Sequence, residues 1–554
     1  MVQYYLQYAR QHIDDWQALD GGQFEQIKHA WTVVSEGQIP VGPIEQALIL
    51  ISYLNSLNLY FEKRGLWHTY LEWTERCLEI APLLRDEMLL GGLLNDIGLC
   101  YRQLGHFERA RSYLEQALAL RRRVGPLAGE AVTLNNLGLV HDDLGHSHEA
   151  LSFYERALQV YRAIGDRRGE ALALHNMATT YQALGQWDSA RHSYEMALRI
   201  EREVGDRIGE AGTLSNLGHL LLEMGELQDA QRVLEQALTV MQEIGDRSHE
   251  PAVLNNLGLL ASARGEKRQA LDLFKRALAL QRANYQTYTE APILNNIGTT
   301  YQALGEWHVA LNYFEQALAR HRATGNRRGE AVTLANIGGI YYQRQAWTEA
   351  LSYYEQALDL FRILGDRNNE AILLNNIATI HRAQGELSQA LELLKEALAI
   401  HRATGNPSGE ATVLNNLAGV YYEMDDLPQA REYLELALAL RESKGDIAEA
   451  GSILNNLGAV CSAQGDNISA RLYYEQALAV RRQIEDYVGQ ARTLYNLGLF
   501  LSNLGELDHA EQLLVEAVAL DEKFDLPNLE RDRELLTTIR ARQARAKKVE
   551  DQRE

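Results

Sequence analysis

The pentapeptide Leu134-Asn135-Asn136-Leu137-Gly138 returns every 40 residues, from Leu94-Asn95-Asp96-Ile97-Gly98 to Leu494-Tyr495-Asn496-Leu497-Gly498. Eleven copies follow one another with no insertion or deletion. A fixed period of this length constrains the fold more than any local propensity, because each unit can bury its apolar face only against its neighbours. The usual inference of several separate domains from 554 residues therefore does not apply.

Each unit reads as a helix pair. In the second copy a first helix is expected over about 129–144 and a second over about 147–164, with Gly145 between them. Gly165-Asp166 closes the second helix, the glycine suiting a C-terminal cap and the aspartate the next N-cap. Gln345 and Asp425 stand where other copies have the Gly145-type glycine, and Asp tolerates a left-handed turn better than Gln. Asn284–Thr289 and Glu485 lack the Gly165-type glycine, so altered junctions are expected there. Ala150 and Ala157 are alanine in all eleven copies. They lie two turns apart on one helix face, where two backbones approach too closely for a larger side chain.

Leu137-Gly138, His141 (Tyr181 and Tyr301 in other copies), Gly145, Ala150, Tyr154 and Ala157 resemble the tetratricopeptide repeat, a helix–turn–helix unit of about 34 residues. The 40-residue form is similar to the repeats of the cell-polarity adaptor Pins/LGN and, less closely, of kinesin light chain. The resemblance implies an all-α fold, a right-handed superhelix (α-solenoid) of antiparallel helix pairs that binds a protein partner.

The ends depart from the pattern. Residues 1–42 read as a helical cap, with one apolar stripe through Tyr5, Leu6, Tyr8, Ala9, Ile13 and Trp16 and another through Phe24, Ile27 and Trp31. Residues 43–87 hold a degenerate copy in the same register, with Asn58 for the glycine, Ser56 for the asparagine, and Tyr70 and Cys77 for the alanines. The eleven repeats span 88–524. Leu529, Leu535, Leu536 and Ile539 mark a capping helix within 525–545, and 546–554 is a charged, solvated tail.

Composition removes several functions. A net charge of −21 argues against a general nucleic-acid binder, which needs clustered Lys and Arg. Cys77, Cys100 and Cys461 are widely spaced and form no disulfide framework. With no signal-peptide pattern and no apolar run of ~20 residues, a cytoplasmic protein without a membrane span is expected. No P-loop, GxSxG elbow, HExxH or GxGxxG occurs, and the sixteen histidines are scattered, so neither an enzyme nor a bound cofactor or metal is expected.

Function is sought on the first helices. Leu134, Leu137, Gly138 and His141 fall on one arc and must face the second helix. The opposite arc holds positions 132, 135, 136, 139, 142 and 143 of each copy, and the family resemblance makes it the inner wall of a groove. Of its 66 residues eight are charged: Asp96, Arg102, Asp142, Asp143, Glu223, Arg382, Glu423 and Arg492. Asparagine recurs at Asn136, Asn176, Asn216, Asn256, Asn296, Asn336, Asn376, Asn416, Asn456 and Asn496. A second column has Asn95, Asn135, Asn255, Asn295, Asn375, Asn415 and Asn455. A carboxamide donates and accepts, and so can pair with a peptide backbone. The columns resemble the asparagine ladder of O-GlcNAc transferase, without that enzyme's catalytic domain. The alternative is that they bond to neighbouring helices and set the pitch of the array. Tyr342, Tyr422 and Tyr495 on the same wall are candidates to grip apolar side chains. No lysine lies on the wall, so the carboxylate clamp of co-chaperone members is missing.

Two columns read as structural. Arg122, Arg162, Arg202, Arg282, Arg322, Arg362, Arg402 and Arg482 close second helices, the column being broken by Gln242 and Glu442, and Glu130, Glu170, Glu210, Glu250, Glu290, Glu330, Glu370 and Glu410 open first helices. These signs suit the helix dipoles and allow pairing across the connector. The expected function is a non-catalytic scaffold that binds an extended or helical segment of a partner protein, with self-association possible. The alternative is a sensor or regulatory arm working with a signalling ATPase, since 1–42 loosely resembles the segment joining such domains to repeat arms.

Overall fold

A computed structural model describes the chain except residues 1, 13–18, 20–21, 40, 246–248, 284–289, 445–446, 525 and 552–554. The described residues form α-helices, with a short 3-10 turn at Ala81–Leu84, and no strand occurs among them. The contacts divide the chain into two compact units, Met1–Ile340 and Tyr341–Glu554, with the boundary inside the helix Arg327–Gln343.

In the first unit the helices Val2–Gln11 and Gly22–Ser35 pack on the pair Pro43–Arg64 and Trp67–Ile80. Their core is aromatic: Trp31 stacks on Trp73 with ring centroids 3.9 Å apart, and Phe61 meets Tyr70 at 5.2 Å. Ile27, Ala30 and Val34 are wholly buried there. Ile13 and Trp16, expected in the first stripe, lie outside the described residues.

The repeats follow as antiparallel pairs, of which Leu127–Asp143 with Ser147–Ile164 is typical. Within each unit second helices also pack on the first helix of a following pair, as Ser147–Ile164 does on Arg167–Ala183, and neighbouring first helices such as Leu127–Asp143 and Arg167–Ala183 touch. Leu134, Leu137, Ala150, Tyr154 and Ala157 are buried between the pair, as are the alanines at the same two places in every copy. Gly138 explains itself. A Cβ there would lie 2.4 Å from the Tyr154 ring.

The turns have the expected chemistry. Gly165 has φ +72°, and the Asp166 carboxylate accepts from Gly169 N at 2.9 Å. Gln345 and Asp425 adopt the left-handed conformation of the glycines they replace, at φ 58° and 62°. Glu485 does the same at 56°, so the missing glycine leaves that closure intact. The segment Asn284–Thr289 lies outside the described residues.

In the second unit the pairs run to Tyr487–Asn503 with Leu507–Phe524, and the helix Leu529–Asp551 packs on that last pair. It reaches beyond the expected end at 545. Its own Leu536 and Ile539 are buried against that pair, and its Arg540 pairs with Glu511 at 2.7 Å.

Candidate functional site

The wall of the first helices divides into a crest and two flanks. Val132, Leu172 and Ile372 are exposed on the crest, as are Thr179, Thr299 and Leu499 at the place about two turns further on. Positions 135 and 136 turn sideways, half-buried or buried against the adjacent first helices, and so does position 142 except at Ser262 and Tyr422, which are exposed. The reason is helix packing: three first helices side by side leave only the outermost ridge of the middle one open.

The two asparagine columns meet across this seam. Asn136 Nδ2 donates to Asn95 Oδ1 at 3.0 Å, and Asn176 to Asn135 at 3.0 Å. Asn296 donates to Asn255 at 2.8 Å. The second unit repeats the pattern with Asn416 to Asn375 at 2.7 Å, Asn456 to Asn415 at 2.9 Å and Asn496 to Asn455 at 3.1 Å. Every rung runs the same way, from the amide of one repeat to the carbonyl of the repeat before. At two junctions the acceptor differs: Asn256 donates to Ser215 and Asn216 to His175. Asn295 pairs instead with Thr333 Oγ1 at 2.8 Å. The side-chain amides of Asn336 and Asn376 make no hydrogen bond among the described residues.

The rungs join residues 41 apart, one more than the period, so a comparison of aligned columns does not reveal them. Thr133, Thr213 and Thr333 belong to the same network and were not singled out by sequence. Their signal was a buried polar residue recurring at one register.

The charges of the wall are largely met within it. Arg102 pairs with Asp143, and Arg382 with Glu423 at 2.8 Å. Asp142 accepts from Tyr154 at 2.9 Å and Thr180 at 2.6 Å, while burial pushes its carboxyl above the usual range. Glu223 accepts from Gln182 at 2.8 Å. Burial also raises the Asp96 carboxyl, against the pull of Asn95, Arg121 and Tyr70. The crest is therefore uncharged over most of its length.

The three wall tyrosines differ. Tyr422 is 43% exposed. Tyr342 is half-buried edge-on to Trp347, with centroids 5.4 Å apart. Tyr495 lies under the guanidinium of Arg531 from the C-terminal helix, 3.9 Å from its ring centroid.

Behind the wall the two charged columns pair across the connectors. Arg122–Glu130, Arg162–Glu170, Arg202–Glu210, Arg322–Glu330 and Arg402–Glu410 meet at 2.6–2.8 Å, and Arg362–Glu370 at 3.0 Å. Burial alone would raise the Glu170 carboxyl, but the guanidiniums of Arg162 and Arg167 outweigh it and hold it below the usual range. No metal-holding group of His, Cys, Asp or Glu occurs among the described residues. No helix among them is long and apolar enough to cross a membrane.

The tetratricopeptide repeat model matches seven windows, 89–163, 129–203, 169–243, 209–283, 289–363, 369–443 and 449–523. Together they cover well over half of the sequence. The chain belongs to the tetratricopeptide repeat family. That family is one of protein-interaction scaffolds. Among solved structures, BtubC (BKLC) from P. vanneervenii aligns at 22% identity and TM-score 0.33, over 40% of this chain and 91% of that one. Kinesin light chain-type repeats from Podosopora anserina align at 20% identity and TM-score 0.30, over 35% and 96%. A Rap protein complexed with Competence and Sporulation Factor aligns at 13% identity and TM-score 0.47, over 66% and 98%. At these identities the likeness concerns the tetratricopeptide fold alone. No curated protein matches the chain.

Proposed function

We propose that this tetratricopeptide array is a non-catalytic scaffold that binds an extended segment of a partner protein along the crest of its first helices. One observation carries the reading: the asparagine rungs point the same way and stand on an almost uncharged wall. Each rung spends one N–H of the donor amide. The half-buried donors Asn296, Asn416, Asn456 and Asn496 keep a second N–H and a carbonyl, the two functions a peptide backbone needs. A column of fixed amides loses little freedom on binding, which favours affinity without demanding a particular side chain. Exposed apolar crest residues such as Leu172 and Ile372, with Tyr422, supply selectivity.

The ladder also holds repeats together, so most asparagine variants would confuse binding with stability. Asn336 and Asn376 avoid this, since their amides carry no rung. Asn336→Ala with Asn376→Ala is expected to keep the wild-type melting temperature and to lose proteins that the wild-type chain captures from lysate. Unchanged capture by the folded double variant would count against the crest as the binding site.

A further inference from the structure

One rung contains a titratable group. Asn216 Nδ2 meets His175 Nε2 at 3.1 Å, where six other junctions have an asparagine carbonyl. Behind it, His175 Nδ1 lies 2.9 Å from Thr213 Oγ1, and Thr213 donates to Glu201 Oε1 at 2.9 Å. Glu201 is 4% exposed, and its Oε2 has no hydrogen-bond partner. Four side chains from three helices thus form one line from the wall to a buried carboxyl.

We propose that this line is a proton wire through which Glu201 sets the hydrogen-bond polarity that Asn216 presents on the wall. As a regulatory device it rests on the crest being a peptide site; as chemistry it does not. With Glu201 ionised, Thr213 O–H donates to the carboxylate and His175 Nδ1–H donates to Thr213. The bare Nε2 then accepts from Asn216, which keeps its carbonyl for a ligand. On protonation a proton enters at His175 Nε2, the Nδ1 proton passes to Thr213, and the Thr213 proton passes to Glu201. One proton is gained and the imidazole is neutral before and after. Its Nε2–H now needs an acceptor, so the Asn216 amide must turn its carbonyl inward. The rung then offers the wall two N–H donors and no acceptor.

The surroundings suit a change of tautomer rather than of charge. Burial drives the Glu201 carboxyl up to about 7, opposed by Thr213, raised further by Asp206 and Glu210, and lowered by Arg202. Glu210 is itself held by Arg202 and Arg207. Burial keeps the His175 imidazole down at about 4. The ring of Tyr194 stands edge-on to it at 5.5 Å. Beyond that lie Gln182, His219 and Glu223, bonded among themselves.

The test is a titration of the full chain carrying 13C,15N-labelled histidine, with the His175 signal assigned through His175→Gln. Ring nitrogen and Cδ2 shifts separate the two neutral tautomers. Between about pH 8.5 and about pH 5.5, His175 should exchange Nδ1–H for Nε2–H, with a midpoint set by Glu201. Glu201→Gln and Thr213→Val should each abolish the exchange, and Thr213→Ser should retain it. One tautomer throughout in the folded wild-type chain overturns the proposal, as does an exchange that survives in folded Thr213→Val. The readout contains no peptide, so it succeeds or fails independently of the capture test on Asn336 and Asn376.

Discussion

Ala270 shows how little room a single position has. It is fully buried where the second helix of its repeat meets the first, and leucine there adds three carbons to a filled space. Ala270→Leu is expected to destabilise the array by about 1–3 kcal/mol, read as a lower thermal midpoint. His321 and His401 are titratable, buried, and leave ring nitrogens unpartnered. Burial holds both imidazoles below their usual range, against the weaker pull of Glu330 and Glu410. The unfolded chain therefore takes up protons near the ordinary histidine value of about 6.5 while the folded chain does not, and stability falls as pH drops through that value. Phe361 occupies the equivalent place one repeat before His401. His401→Phe should shrink the fall in melting temperature between about pH 7.5 and about pH 5.5; an undiminished fall would show that His401 does not contribute.

At the scale of the helix, closures carry strain that glycine would relieve. Gln345 holds φ 58° to complete a turn that nine other copies make with glycine. Gln345→Gly is expected to stabilise by about 1 kcal/mol, and Asp425→Gly by less, because aspartate visits the left-handed region more readily. Calorimetry on the two variants tests the ranking. The connector pairs act in the other direction. The Glu170 side chain is 7% exposed between Arg162 and Arg167. Arg162→Ala with Arg167→Ala strands that carboxylate and should cost about 1–3 kcal/mol. The double loss should exceed what exposed ion pairs usually give. Helix boundaries, caps and these pairs were legible in the sequence because each depends on residues close together in the chain. The asparagine rungs were not legible as bonds: they cross between repeats at a spacing one residue off the period, which only the packing of adjacent first helices sets.

At the scale of the molecule, each helix pair within a unit touches only its sequence neighbours, so perturbations should stay local. Ala270→Leu is expected to speed amide exchange in its own and adjoining pairs and leave Leu127–Ile164 unchanged. Uniform acceleration along the chain, measured by hydrogen-exchange mass spectrometry, would contradict a nearest-neighbour array. By itself the sequence determined the repeat, its helix pairs, the buried alanines and the column of asparagines. All of these follow from a local period and from the small set of conformations each residue type allows. Tertiary structure decided what the asparagines bond to, which wall residues stay open, and that Tyr495 lies beneath Arg531. It also joined His175 to Glu201 through Thr213. Those outcomes depend on how far one helix rolls against the next, a matter of interlocking side chains that no single repeat contains.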